Sequence, residues 1–239
     1  MHVLFVHGVG LGPETFADAV DAATNRGHAA SVHVRRGYDT RPPTDSFDQH
    51  LADLTATVDV LVAEHGPVVV AGVSGGATLA LALAATSGER ARHTTVVHEP
   101  LLGPLAVEQH DRVVASIEAF RSSNDSYGFE GFMRRLVTPG TWDQLSEPIR
   151  ASARRHAPSA RVEVRGFTDF SIGPRALHAS ARTTTWSIGT CSPPWRHDAS
   201  AVGAAHGLQV RRVDACHTPQ IESVDEWIEI IEEAAGACP

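Results

Sequence analysis

Three observations in the sequence predict an α/β protein with a mostly parallel sheet. Short apolar runs alternate with stretches whose apolar residues recur every three or four positions, which is the pattern of βαβ units. The alternation stops between residues 104 and 180, where helical spacing broken by Gly and Pro dominates, and it then returns. We therefore predict a core of residues 1–103 and 181–239, with a helical cap of residues 104–180 inserted into it.

Six short apolar runs, bounded by Gly, Pro or polar loops, are predicted to be strands. In chain order they are residues 2–7, 30–35, 67–71, 94–98, 183–189 and 208–213. Right-handed crossovers bring the C-terminal ends of parallel strands to one edge of the sheet. Such sheets place their functional sites at that edge, so the residues that follow each strand are the first candidates for a site.

Seven stretches with apolar residues three or four positions apart are predicted to be helices. In the core they are residues 13–26, 47–61, 77–85 and 224–235, and in the cap residues 107–120, 129–136 and 142–156. The first of them stops at Gly27, a residue typical of helix C-termini.

Composition excludes several classes of partner. The chain has 239 residues and a formal net charge of −8, which disfavours a nucleic-acid polyanion. No run approaches the 18 or so apolar residues that a membrane span needs, and no basic, cleavable N-terminal segment is present. We expect a soluble cytoplasmic protein without nucleic-acid or membrane partners. A homodimer is compatible with the sequence, which does not decide the oligomeric state.

The three cysteines, Cys191, Cys216 and Cys238, are widely spaced and form no CxxC pair. Their odd number and their spacing predict neither a disulfide framework nor a structural zinc site. Cys216 is expected to be a small buried residue rather than a second nucleophile. We expect the protein to need no metal and no cofactor.

The candidate nucleophile is Ser74, in the segment Gly72-Val73-Ser74-Gly75-Gly76. A G-x-S-x-G pattern alone is weak, because a glycine-rich turn with a serine of no function has the same letters. Here a Val-rich predicted strand ends directly before it and a predicted helix follows, which is the context that such a nucleophile requires. Glycines two positions from Ser74 leave room for the strained turn.

Two further segments complete a candidate acyl-transfer site. Such a site needs two backbone N–H groups aimed at the developing oxyanion. Gly75, beside the nucleophile at a helix start, and Val9, in the His7–Gly10 loop after the first strand, are the candidate donors. Among 14 histidines, His217 is singled out because it follows the last strand, where it would accept the Ser74 proton.

The segments His7-Gly8, Gly72–Gly76 and Cys216-His217-Thr218-Pro219 together resemble the α/β-hydrolase superfamily. The resemblance covers nearly the whole chain apart from the cap, and it implies the α/β-hydrolase fold with about six strands. It also implies an acyl-enzyme on Ser74, with the triad residues in the order nucleophile, acid, histidine. Many members carry an Asp just after the penultimate strand. Here Thr190-Cys191-Ser192 follows that strand, without a carboxylate.

Two carboxylates are candidates for the missing acid. Asp198 lies a few residues further on and would need its loop to swing back towards His217. Glu99, at the end of the fourth strand, needs no such excursion, and a strand end is a rigid support. We favour Glu99 and keep Asp198 as the alternative. His98-Glu99-Pro100-Leu101 and Trp186–Thr190 are similar to the zearalenone-type lactone hydrolases, which implies a Ser–His–Glu triad and a lactone or hydrophobic ester as substrate.

The cap is expected to cover the pocket. Its apolar candidates for contacting a small hydrophobic ester or lactone are Trp142, Phe132, Met133 and Leu136. Each of them could instead belong to the core of the cap, because an amphipathic helix must bury its apolar face. Two other functions remain open at this stage. The same residues would suit a hydrolase of carbon–carbon bonds, and the fold could serve as a ligand receptor without catalysis.

Overall fold

The computed structural model describes residues 1–87, 92–123, 126–137 and 139–236, so Cys238 lies outside the described residues. Its sheet has six strands in the order β2-β1-β3-β4-β5-β6, and all five pairings are parallel. The strands are β1 (His2–Val6), β2 (Ala29–His33), β3 (Val68–Val73), β4 (His93–His98), β5 (Thr184–Gly189) and β6 (Gln209–Val213). The predicted fold class is therefore confirmed.

Eleven α-helices are found among the described residues. They are α1 (Ala17–Asn25), α2 (Phe47–His65), α3 (Gly75–Ser87), α4 (Val107–Ser122), α5 (Ser126–Leu136), α6 (Pro139–Gln144), α7 (Glu147–Thr168), α8 (Pro174–Ser180), α9 (Pro194–Ala205), α10 (Pro219–Glu222) and α11 (Val224–Gly236). In the part of the chain that the structure describes, no helix is both long and apolar enough to cross a membrane.

Helices cover both faces of the sheet. One apolar cluster joins the sheet to α1 and α11, and a second joins it to α2, α3, α8 and α9. The four inner strands, β1, β3, β4 and β5, are buried along their whole length. Burial on both faces is why β1 and β3 read as nearly continuous apolar runs rather than as alternating ones. The edge strands β2 and β6 expose part of their residues.

The register of the sheet aligns the strand ends that matter for function. Val6 pairs with Gly72, and Val73 pairs with His98. The residues that follow β1, β3 and β4 therefore emerge side by side at the carboxyl edge. The segments that were predicted to carry oxyanion donors, nucleophile and acid meet there because three parallel strands end at the same level.

Between β4 and β5 the described residues form helices and no strand, as the predicted insertion requires. Helices α4 to α7 share an apolar cluster of their own, centred on Phe120, Phe129, Phe132 and Trp142. Helix α8 packs against α3 instead, so the end of the insertion belongs structurally to the core. The stretch predicted as one helix, 142–156, is divided, because α6 ends and α7 starts afresh with a proline in its first turn.

Candidate active site

Ser74 occupies the sharp turn between β3 and α3. Its φ is 55°, a left-handed conformation that residues other than glycine rarely adopt, and its N–H donates to the His98 carbonyl at 2.9 Å. A Cβ on Gly72 would lie 2.5 Å from the Gly76 carbonyl oxygen, and one on Gly76 would collide with the Val6 carbonyl. The glycines are therefore required by the close approach of backbone to backbone around the turn.

Val9 and Gly75 lie next to each other beside Ser74. A Cβ on Gly75 would contact Val9 Cγ2 at 3.0 Å, and all three residues line one cavity. Gly75 is the first residue of α3, so its N–H has no partner within the helix. Within the described residues, no hydrogen bond engages the Val9 N–H either. Two unengaged backbone donors beside a serine hydroxyl are what a tetrahedral oxyanion would need.

The structure brings Glu99 to His217 and leaves Asp198 apart. Glu99 Oε2 lies 2.6 Å from His217 Nδ1, and both side chains are buried. Glu99 directly follows β4, with φ at 52°, and this left-handed turn aims its carboxylate towards the last loop. Asp198 is on the exposed side of α9, since the residues after β5 form a helix rather than a loop that could swing back. Among the two candidate acids, only Glu99 is in position.

Two side chains that the sequence did not indicate, and one backbone N–H, hold the Glu99 carboxylate. Ser192 donates from its hydroxyl to Oε1, and the Arg196 guanidinium pairs with Oε2 and also contacts the His217 imidazole. The Gly189 N–H donates to Oε1 at 3.2 Å. No pattern in the chain pointed to Arg196, which lies in the first turn of α9 and is buried.

These contacts set the protonation states of the pair. Burial raises the pKa of the Glu99 carboxyl, but the charges of Arg196 and His98 and the bond to His217 outweigh it, and hold that pKa well below its usual range. Burial and then Arg196 lower the pKa of His217 to about 3, although Glu99 acts in the opposite direction. Near neutral pH His217 is therefore the neutral imidazole, the form that can accept a proton.

Three of the four predicted substrate-contacting residues reach the serine. Phe132 and Leu136 line a cavity of about 30 Å³ with Ser74, and Met133 lines a smaller one between Ser74 and His217. Trp142 lines neither cavity: it packs against Phe129 inside the cap, with ring centroids 6.3 Å apart, which is the alternative that the sequence left open for it. The apolar lining favours a hydrophobic substrate.

Among the described residues, two groups have the donor types of a metal site. The ligand atoms of His98, Glu99 and His217 lie within 4.8 Å of one another. However, Arg196 already places a cation on Glu99, and both ring nitrogens of His98 are engaged by Ser187 and by the Cys216 carbonyl. The second group contains Cys191 and Cys216 with Glu222, and its two sulfurs are bonded to each other. Neither donor set is free for a metal ion.

The predicted absence of a disulfide is wrong. Cys191 and Cys216 form a disulfide with Cα atoms 4.9 Å apart. The prediction failed because spacing along the chain does not show that β5 and β6 end side by side, with one cysteine following each strand. The bond joins the loop that carries Ser192 to the loop that carries His217. Disulfides persist mainly in oxidising compartments, so this bond is a physical argument against the predicted cytoplasmic location.

Replacing both cysteines by serine is expected to lower the stability of the fold by about 3 kcal/mol, because the bond closes a loop between residues 25 positions apart. For a domain of this size the loss corresponds to about 6–12 °C in Tm. Calorimetry of the air-oxidised protein and of the double variant measures it. Equal Tm values, or three titratable thiols in the denatured wild-type protein, would show that the bond does not form.

Comparisons with known proteins identify the family and the fold of the chain. A model of the alpha/beta hydrolase family matches residues 3–230. The chain is similar to a thermophilic esterase from Thermogutta terrifontis with malate bound, with a TM-score of 0.77, 21% identity and coverage of 99% of this chain and 89% of that one. The chain is also similar to the enol-lactonase from Burkholderia xenovorans LB400, with a TM-score of 0.70, 16% identity and coverage of 98% of this chain and 91% of that one. For naproxen esterase from Bacillus subtilis the TM-score is 0.72 and the identity 13%, with coverage of 97% of this chain and 83% of that one. At these identities the likeness shows the fold. No curated protein sequence matches the chain significantly.

Proposed function

The chain belongs to the alpha/beta hydrolase family, and on that premise we propose that it is a metal-independent serine hydrolase of carboxylic esters. The observation that carries the proposal is the buried Glu99–His217 pair, joined at 2.6 Å, whose imidazole lines a cavity together with Ser74. A neutral, oriented imidazole beside a serine on a strained turn is the arrangement that activates a hydroxyl for attack on a carbonyl.

In the proposed reaction, Ser74 Oγ attacks the ester carbonyl while His217 takes the hydroxyl proton. The carbonyl oxygen becomes an oxyanion that accepts hydrogen bonds from the N–H groups of Val9 and Gly75. His217 then gives its proton to the leaving alcohol, and an acyl group remains on Ser74. A water molecule, deprotonated by His217, attacks the acyl-enzyme, and collapse of the second tetrahedral intermediate returns the proton to Ser74 Oγ and releases the acid. Glu99 holds the imidazole in the required tautomer throughout.

The substrate class is proposed from the cavity lining. The residues around Ser74 are mainly apolar, among them Phe132, Leu136 and Phe167, which favours a hydrophobic ester or a lactone. A lactone keeps its alcohol tethered to the acyl group after ring opening, so deacylation must be faster than ring closure. An esterase and an enol-lactonase among the similar structures fit this proposal.

A panel of chromogenic esters and lactones, combined with a serine-reactive phosphonate, tests the proposal. We expect turnover, and a single phosphonate adduct whose peptide contains Ser74. The Ser74→Ala variant should neither turn over nor take the label. Ser180→Ala is the matched control, because the Ser180 hydroxyl is buried away from the site and bonds only within α8, to the Leu177 carbonyl. No turnover and no adduct on the folded wild-type protein would favour a ligand receptor and reject the hydrolase.

A further inference from the structure

The first observation concerns the peptide unit between Gly8 and Val9. Its carbonyl accepts a hydrogen bond from Arg35 Nη2 at 2.6 Å, and the His7 ring lies 3.1 Å from the same oxygen. A trans peptide is planar, so its C=O and N–H point in opposite directions. Whatever holds the Gly8 carbonyl therefore also sets the direction of the Val9 N–H. A cation on the carbonyl also polarises the peptide and strengthens that N–H as a donor.

The next peptide unit along the chain is held as well. The Gly10 N–H donates to the Tyr38 hydroxyl at 2.7 Å, and that hydroxyl donates to Glu163. Gly10 has a φ of 80°, and a side chain there would meet the cap residue Met133 at 2.9 Å. Both peptides that flank Val9 are thus fixed by side chains from the loop after β2, with the cap helix α5 packed directly against them.

Glu163 connects this arrangement to the cap. It lies on α7, and its Oε2 forms an ion pair with Arg35 Nη1 at 3.0 Å. Arg35 and Glu163 are 0% and 1% exposed, respectively. A buried ion pair is costly to desolvate and is by itself weak evidence for stability, because apolar residues of similar size often serve as well. Its location, one side chain away from the Val9 peptide, suggests a role in the site.

We propose that Arg35 is a positioning residue for the oxyanion donor Val9, and that Glu163 and Tyr38 hold it and the following peptide in place from the cap side. This inference rests on the proposed function. It means that the oxyanion hole is complete only when α7 is docked, so the cap takes part in stabilising the transition state as well as in enclosing the substrate. None of the three residues needs to touch the substrate.

The double variant Arg35→Met/Glu163→Gln tests the proposal without leaving an unpaired buried charge. We expect kcat for a chromogenic ester to fall about 10- to 100-fold, with KM within about threefold of the wild-type value. The reason is that a misaligned Val9 N–H weakens a hydrogen bond to the oxyanion, which forms in the transition state and not in the bound substrate. Affinity for a trifluoromethyl ketone, which forms a tetrahedral adduct, should fall by the same factor as kcat/KM. Affinity for the product alcohol should not change.

Tyr38→Phe is the second variant, since it deletes one hydroxyl and keeps the ring. It should lower kcat by about tenfold with the same pattern in KM and in ketone affinity. Ser159→Ala is the matched control. Ser159 also joins α7 to the loop after β2, because its hydroxyl donates to the Gly37 carbonyl at 2.7 Å. It makes no hydrogen bond to the His7–Gly10 loop that carries Val9. Its kcat should equal that of the wild-type protein.

Three outcomes overturn the inference. One is unchanged kcat in both folded variants, and another is a fall in kcat without a matching loss of ketone affinity. The third is a fall in kcat in Ser159→Ala as large as that in Tyr38→Phe. It would mean that any weakening of the contact between cap and core lowers kcat, whether or not the Val9 peptide is affected. Failure of the proposed function itself is distinguishable, because the wild-type protein would then neither turn over esters nor take the phosphonate label.

Discussion

Replacing Glu99 by Gln is expected to lower kcat by about 10³- to 10⁴-fold. The carboxylate accepts from His217 Nδ1 at 2.6 Å, which leaves the other ring nitrogen unprotonated to receive the Ser74 proton. A glutamine can turn its NH₂ towards Nδ1 and so stabilise the opposite tautomer, which cannot act as a base. Steady-state kinetics on a chromogenic ester, with circular dichroism to confirm folding, measures the effect.

Asp198→Asn is the matched control for this experiment. Asp198 is the other carboxylate in the same region, but it is exposed on α9. Its replacement should leave kcat within about twofold of the wild-type value, as is usual for surface substitutions away from a site. A large loss of kcat in Asp198→Asn, together with a small one in Glu99→Gln, would transfer the role of the acid to Asp198.

The Arg196→Met variant is expected to move the acid limb of the pH–activity profile upwards. In the wild-type protein, burial and the Arg196 charge lower the pKa of His217 to about 3. Because the neutral imidazole is the active form, kcat/KM should stay nearly constant as the pH falls from 8 to about 5. Removing the cation raises the pKa of His217, while burial still lowers it, so the variant should lose activity at a higher pH than the wild-type protein does.

Arg161→Met is the control for the change of arginine to methionine. Both arginines donate to a backbone carbonyl of the cap. Arg196 Nη2 donates to that of Leu136 at 2.5 Å, and Arg161 Nη1 donates to that of Phe120 at 2.6 Å. Arg161 makes no contact with the Glu99–His217 pair among the described residues, so its profile should match that of the wild-type protein. If the acid limb of Arg196→Met coincides with that of the wild-type protein, the Arg196 charge does not lower the pKa of His217.

The parts of the site that could be predicted are those tied to strand ends. Ser74, Val9 and Glu99 follow β3, β1 and β4, and parallel strands end at one edge whatever the rest of the chain does. The need for glycine at positions 72 and 76 could also be predicted from the local sequence, because the tight turn around Ser74 leaves no room for a side chain at Gly72 or Gly76. The preference for Glu99 over Asp198 rested on the same logic, and the position of Glu99 in the structure agrees with it. Its catalytic role stays a prediction.

Contacts between segments distant in sequence could not be predicted. The Cys191–Cys216 bond, the insertion of Arg196 beside Glu99, and the approach of Glu163 to Arg35 all depend on how helices and loops dock in three dimensions. Trp142 shows the same limit, because an amphipathic cap helix reveals that it has an apolar face but not whether that face meets the substrate or another cap helix.

The sequence by itself determined the α/β core, the interruption by a helical cap and the candidate nucleophile. These follow from the spacing of apolar residues, the positions of strand ends and the spacing of glycines, which are all properties of short segments. Tertiary structure alone decided which cap side chains reach Ser74, and it supplied the charged groups around the site. The physical reason is that a buried charge is tolerated only next to its partner, and the partners here lie 97 and 128 residues away along the chain.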